Sequence, residues 1–157
     1  MKKLLTVLAI SGLLLLSACS DQSQSSAIND MALTDVMDKL YAGFAEDELP
    51  MMGEPTVVTA ENVKWYLGLD SLDFKEALAR EPMISSVAHS VVLVRLNDGQ
   101  DAEALKEEIR NSLDTYKWIC VGVEKDDLII EENGNVLLVM IDGTGIGERI
   151  VEAFKGI

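Results

Sequence analysis

Few residues in this chain are able to do chemistry, and their spacing limits what each can do. Asp142-Gly143-Thr144-Gly145-Ile146-Gly147-Glu148 joins an apolar run to a helix-like stretch. Strand, glycine-rich loop and helix is an arrangement in which backbone N–H groups cradle phosphate. The segment lacks the Gly-Lys-Ser/Thr ending of a P-loop. Its third glycine also falls one residue early for a dinucleotide fingerprint, with Glu148 in that place. Asp142 and Glu148 would repel an anion, so the loop is expected to serve backbone geometry alone. His89 is the only histidine. General acid–base work needs a histidine oriented by partners, and none is visible around it in the sequence. It reads as a structural residue on a strand face with Val87, Val91, Leu93 and Arg95.

Other sites are argued the same way. His89 and Cys120 together fall short of the three or four ligands zinc takes. Cys120 stands in the apolar stretch Trp118-Ile119-Cys120-Val121 with only Lys117 as a basic neighbour, so a buried, inert thiol is expected. Asp126-Asp127 and Glu131-Glu132 offer oxygens to calcium, yet no Asp-x-Asp-x-Asp-Gly loop exists. No serine lies in a Gly-x-Ser-x-Gly elbow. Met51-Met52, in a proline-bracketed loop, suits adaptable apolar contact with a partner. Copper would want repeated Met-x-Met spacing with histidine, which is absent. The reading therefore holds no catalytic set, no cofactor and no metal site.

The first residues carry a different chemistry. Lys2 and Lys3 precede an apolar run from Leu4 to Leu16. That run is shorter than the ~20 residues a membrane span needs and matches the h-region of an export signal. Leu16-Ser17-Ala18-Cys19 comes next. It resembles the lipobox of bacterial lipoproteins, which implies cleavage after Ala18 and lipid on the Cys19 thiol. Residues 1–18 are then a signal peptide. Ser20 to Ser26 has no apolar side chain, so residues 19–30 are expected to form a solvated tether. The expected address is the outer face of the bacterial cytoplasmic membrane, or an outer membrane where the host has one. Ser20 lacks the acidic character that often retains lipoproteins on the inner membrane.

Charge narrows the partners. The chain has 13 basic and 27 acidic residues; losing Lys2 and Lys3 with the signal moves the net charge from −14 to −16. Such a surface repels phosphate backbones, which disfavours nucleic acid. The acids are scattered, which fits solubility beside a membrane; attraction to cations or basic partners is the sharper alternative. With Cys19 lipidated, only Cys120 remains and no disulfide framework forms.

These sites need elements to hold them. Thr34 is placed to cap a helix from Asp35 to about Phe44. Pro50, Gly53 and Pro55 break the chain next. Thr59 opens a short helix to Leu67, ended by Gly68. Asp70 or Ser71 opens another through Ala79, stopped before Pro82. Ser86 to Leu96 reads as a strand with a turn at Asn97-Asp98-Gly99. Asp101 to Tyr116 carries the helical stripe Leu105, Ile109, Leu113 and Tyr116. Residues 128–131 and 136–141 flank Asn133-Gly134 and predict a hairpin. A last helix spans about Ile146 to Phe154. The order β-α-β-β-α, preceded by short helices, predicts one α/β (α+β) domain over residues 31–157. Its expected form is two-layered, with a small, mostly antiparallel sheet. Residues 136–141 are expected in the middle of that sheet, between strands 87–96 and 128–131. Both faces of these strands are apolar, so residues 33–79 are expected to fold over the face that the C-terminal helices leave bare.

A family resemblance rests on Tyr66-Leu67-Gly68-Leu69-Asp70, Phe74-Lys75-Glu76-Ala77 and Glu81-Pro82-Met83-Ile84-Ser85. Together with the strand, helix and Asn-Gly hairpin on their C-terminal side, these resemble the bacterial lipoprotein family catalogued as domain of unknown function 4358. Here an extra leucine separates Tyr66 from Gly68. The resemblance covers about residues 35 to 157 and implies a shared fold and an extracytoplasmic address. It implies no activity and carries over no functional residue. The expected role is a non-enzymatic binding or accessory domain, held on the membrane through Cys19 and meeting an unknown protein or small molecule. The alternative is a cell-envelope enzyme, such as a hydrolase working through paired carboxylates.

Overall fold

Two strands, β3 (His89–Arg95) and β5 (Val136–Asp142), are apolar on both faces, and each lies in the middle of a sheet covered on both sides. They pair antiparallel from His89↔Asp142 to Arg95↔Val136. The computed structural model describes residues 27–157; the expected export signal, Cys19 and the part of the expected tether up to Ser26 lie outside the described residues. The sheet has five strands in the order β1-β2-β3-β5-β4, with β1 (Thr56–Val57), β2 (Glu76–Arg80) and β4 (Ile129–Asn133). All its pairings are antiparallel. β5 does lie between β3 and β4, as its continuous apolar run predicts. The β4–β5 hairpin turns at Gly134-Asn135, with Gly134 at φ 59°. A glycine at positive φ is what a two-residue hairpin loop requires.

The mixed α/β class with an antiparallel sheet is as expected, but the cover is distributed differently. The two C-terminal helices do not share a face. α3 (Ala102–Ser112) packs Leu105 and Ile109 over Val92, Val94, Leu137, Val139 and Ile141. α4 (Gly147–Lys155) packs Ile150 and Phe154 over Val91, Leu93, Leu138 and Met140 on the other side. Each is joined by one short helix from the N-terminal half. α1 (Leu33–Tyr41) lies beside α4, and α2 (Val63–Leu67) packs on the α3 side. Residues 33–79 thus complete both faces, and the sheet becomes the middle of three layers. Burying a Val, Leu, Ile or Phe side chain contributes ~1.5–3 kcal/mol, and the strand residues do so on both faces.

Three element readings are corrected. The helix expected from Asp70 or Ser71 through Ala79 does not form: residues 70–75 are irregular and 76–80 form β2, paired to β3 from Glu76↔Arg95 to Arg80↔Val91. Glu, Ala and Leu favour helix in isolation, but a row of backbone partners along β3 and burial of Ala77, Leu78 and Ala79 override that preference. α1 starts one residue before Thr34, with Ala32 as its N-cap and no side-chain cap. Residues 27–30 are not tether: they form a 3-10 turn with Ile28 fully buried.

The last correction has a clear cause in Arg95. Its side chain is buried, donates to Glu76 Oε1 at 2.7 Å, and reaches the carbonyls of Ile28, Asn29 and Met31. It also donates to Asn135 Oδ1 at 2.9 Å. A guanidinium has five N–H donors in a rigid fork, so one side chain pins the whole entry of the chain. The sheet therefore has two distinct ends. The chain enters at the Arg95 end. The His89 end carries the loops after β2, before β3 and after β5.

Candidate functional site

Because side chains alternate along a strand, neighbouring residues at the His89 end send polar groups to opposite faces. Arg80 and His89 face α1 and α4; Glu81 and Ser90 face α2 and α3. Each pair begins a buried polar cluster.

On the α1 side, His89 is fully buried and Asp142 nearly so. Nδ1 of His89 lies 2.9 Å from Asp142 Oδ1, and Nε2 lies 2.9 Å from the Tyr41 hydroxyl. A carboxylate only accepts, so Nδ1–H donates to it, and Nε2 is left to the Tyr41 hydroxyl. Burial pushes the Asp142 carboxyl up, but hydrogen bonds from His89 and Thr144 outweigh it and hold the group well below the ordinary carboxylate range. Burial pushes the Tyr41 phenol up; Arg80 opposes this and Asp142 adds to it. The Arg80 guanidinium lies over the Tyr41 ring, 5.0 Å from its centroid.

Asp142 also settles the role of the glycine loop. Its Oδ2 accepts from the N–H groups of Gly145 at 3.1 Å and Gly147 at 2.8 Å, and its Oδ1 accepts from Thr144 N at 3.1 Å. The backbone donors that would cradle a phosphate are occupied by the chain's own carboxylate. A Cβ on Gly147 would meet Asp142 Oδ2 at 3.0 Å and Met140 Cε at 3.2 Å. The loop is structural, as its acidic flanks predict.

On the α2 side, Lys117 is buried beneath three aromatic rings. Its Nζ is 5.2 Å from the Trp65 centroid, 5.4 Å from Tyr66 and 5.0 Å from Trp118. It pairs with Glu81 Oε1 at 2.7 Å, and Trp65 Nε1 donates to Glu81 Oε2 at 3.0 Å. Burial pushes the Lys117 ammonium below its ordinary range against the pull of Glu81. Cation–π contact and the carboxylate offset only part of its desolvation.

The remaining candidates separate. Cys120 is exposed, not buried, and is the one non-glycine residue at positive φ among the described residues, at 65°. Its apolar neighbours diverge: Trp118 turns into the core while Ile119 is 74% exposed. A local run of apolar residues predicts burial only where a regular element aligns them, and 113–123 is loop. Glu131 pairs with Lys155 at 2.9 Å and Glu132 with Lys106 at 2.6 Å. Asp126 and Asp127 lie on an exposed 3-10 turn. Among the described residues no group of three or more His, Cys, Asp or Glu side chains is arranged to hold a metal ion.

Two open clefts flank these clusters. One, of about 560 Å³, is lined by Glu46, Leu49, Pro50, Met51, Met52 and Arg80. The other, of about 510 Å³, lies between residues 86–88, Tyr116 to Gly122 and Gly143. Met51, Met83, Ile84, Tyr116 and Ile119 stand exposed around this end of the molecule. Met51 and Met52 line the first of these clefts. Tyr41, Arg80, Glu81 and Lys117 were not singled out by the sequence reading. The one signal for them is an Arg-Glu pair at the end of a strand, legible only once residues 76–80 are known to be a strand. Compared with known proteins, the chain matches no protein-family model, no curated protein and no solved structure.

Proposed function

We propose that this protein is an extracytoplasmic lipoprotein whose domain binds a protein or small molecule, held to the membrane by lipid on Cys19. Kinship with the lipoprotein family of domain of unknown function 4358 is part of the same proposal. The observation that carries it is polarity of the molecule. The chain enters at the Arg95 end, where Ile28, Asn29 and Met31 are clamped. Five of the exposed apolar side chains, Met51, Met83, Ile84, Tyr116 and Ile119, stand around the His89 end, where two clefts also open, while Leu72 is exposed near the other end. Residues 20–26 span at most ~25 Å at ~3.4 Å each, so a lipid on Cys19 keeps the Arg95 end near the bilayer and turns the loops outward. Exposed apolar groups pointing away from a membrane suit contact with a partner. The two best-buried carboxylates, Asp142 and Glu81, are each engaged by a partner, His89 and Lys117. Neither of these two is placed as one of a converging acid pair, the arrangement the hydrolase reading needs.

Labelled palmitate tests the anchor: the native chain incorporates it and Cys19→Ser does not. A photoreactive residue at position 119 and another at position 98, in the turn beside the Arg95 end, test the polarity. Adducts in intact envelopes are expected from 119 and not from 98. Palmitate on the Cys19→Ser variant, or equal adducts from both positions, would overturn the reading.

A further inference from the structure

Matching the charges around the sheet leaves one strand-end cation without a carboxylate among the described residues. Arg95 is matched by Glu76, Arg149 by Glu48 and Lys117 by Glu81. Arg80 is partly buried and has no such partner. Its Nε donates to Gly53 O at 3.0 Å, and its flat face covers Tyr41. Arg80 also lines the cleft of Leu49, Pro50, Met51 and Met52. A carboxylate is the group its fork fits.

We propose that the Arg80 cleft binds a small monocarboxylate with an apolar body. Arg80 takes the carboxylate in a bidentate grip, while Leu49, Pro50 and the two methionines enclose the apolar part. Methionine side chains adapt to irregular apolar shapes, and about 560 Å³ lies within the range of small-molecule sites. Glu46, on the exposed lip, together with the acidic surface, disfavours a second negative charge on the ligand. Glu48, two residues on, does not compete for Arg80, because Arg149 holds it at 2.7 Å. The assignment rests on reading the domain as a binding module and is independent of its lipid anchor.

N-acetyl-L-leucine is a suitable probe, titrated calorimetrically into the full chain held in nanodiscs of zwitterionic lipid. Saturable binding is expected. N-acetyl-L-leucinamide has the same body without the charge and should bind at least about tenfold more weakly, as loss of a charge-assisted pair implies. Arg80→Gln should cost a similar factor. Because Arg80 also packs on Tyr41, a second variant guards against simple unfolding. Met51→Asp changes a side chain that is 68% exposed, should leave the melting temperature unmoved, and should repel the carboxylate from the same cleft. No saturable heat with the acid, equal affinity for the amide, or undiminished binding by Met51→Asp would each overturn the proposal. Palmitate labelling and the adduct pattern would stand untouched by such a failure.

Discussion

At the scale of single residues, Asp142 does the most organising work. It orients His89, fills the glycine loop with its own oxygens and closes the end of the sheet. Its hydrogen bonds favour the ionised form, so its folded value lies below its unfolded one. The stability it lends is therefore complete above about pH 4, the ordinary carboxylate value, and drains away as pH falls toward the depressed folded value. Asp142→Asn keeps the shape but removes an acceptor from the loop donors, which should cost about 2 kcal/mol at neutral pH. The gap in unfolding free energy between the two proteins should narrow as pH falls below about 4, since there the Asp142 carboxylate binds a proton in the unfolded chain and not in the folded one. Denaturant melts across that range measure it; a gap that holds constant would show that the charge of Asp142 contributes nothing. None of this was legible in the sequence around His89. Its partners stand 48 and 53 positions away, and a pairing at that separation exists only after the strands align. What was legible was the negative half: acidic flanks told against an anion in the glycine loop.

At the scale of elements, strong periodicity survived folding and weak periodicity did not. The strands at 89–95 and 136–142, the helix at 102–112 and the Asn-Gly hairpin were all readable, because apolar spacing and turn chemistry agree locally. Residues 76–80 were not, because pairing to β3 overrode helix propensity. α2 illustrates the middle case. Its five residues are too few to be helical alone, yet Gly68 was readable as its stop. Gly68 has φ 75° and its N–H reaches Lys64 O at 3.0 Å. A Cβ there would lie 2.4 Å from the backbone of Ser112 and Leu113, at the end of α3. The glycine thus allows both the left-handed cap and the close approach of two helices. Gly99 supplies a control, with φ 74° and open space around it. Gly68→Ala should cost about 3 kcal/mol, combining backbone strain with overlap, whereas Gly99→Ala should cost about 1 kcal/mol from strain alone. Chemical denaturation compares them. Equal losses would mean that the helices part easily and that packing at Gly68 is unimportant.

At the scale of the whole molecule, the N-terminal half is not an appendage. β2 pairs with β3 along its length, β1 extends the edge, α1 shares the α4 face and α2 shares the α3 face. The sequence asked for such cover, since an antiparallel face open to water should read polar and neither face does. It could not say that the cover would be split, because both long helices were assigned to one side. The split strengthens the consequence. Removing residues 27–80 would bare Val91, Leu93, Leu138 and Met140 where α1 lay, and would unpair β3 along one whole edge. An unpaired apolar strand beside an exposed apolar face is a template for association. Fragment 81–157 should therefore aggregate or form mixed oligomers by light scattering after size exclusion, with near-UV dichroism collapsed. A soluble monomer with native-like dichroism would show that β3, β4, β5, α3 and α4 form a self-sufficient core. In that event the proposed lipid anchor would be joined to the core only through a dispensable half, and the rigid polarity on which the binding proposal depends would be lost.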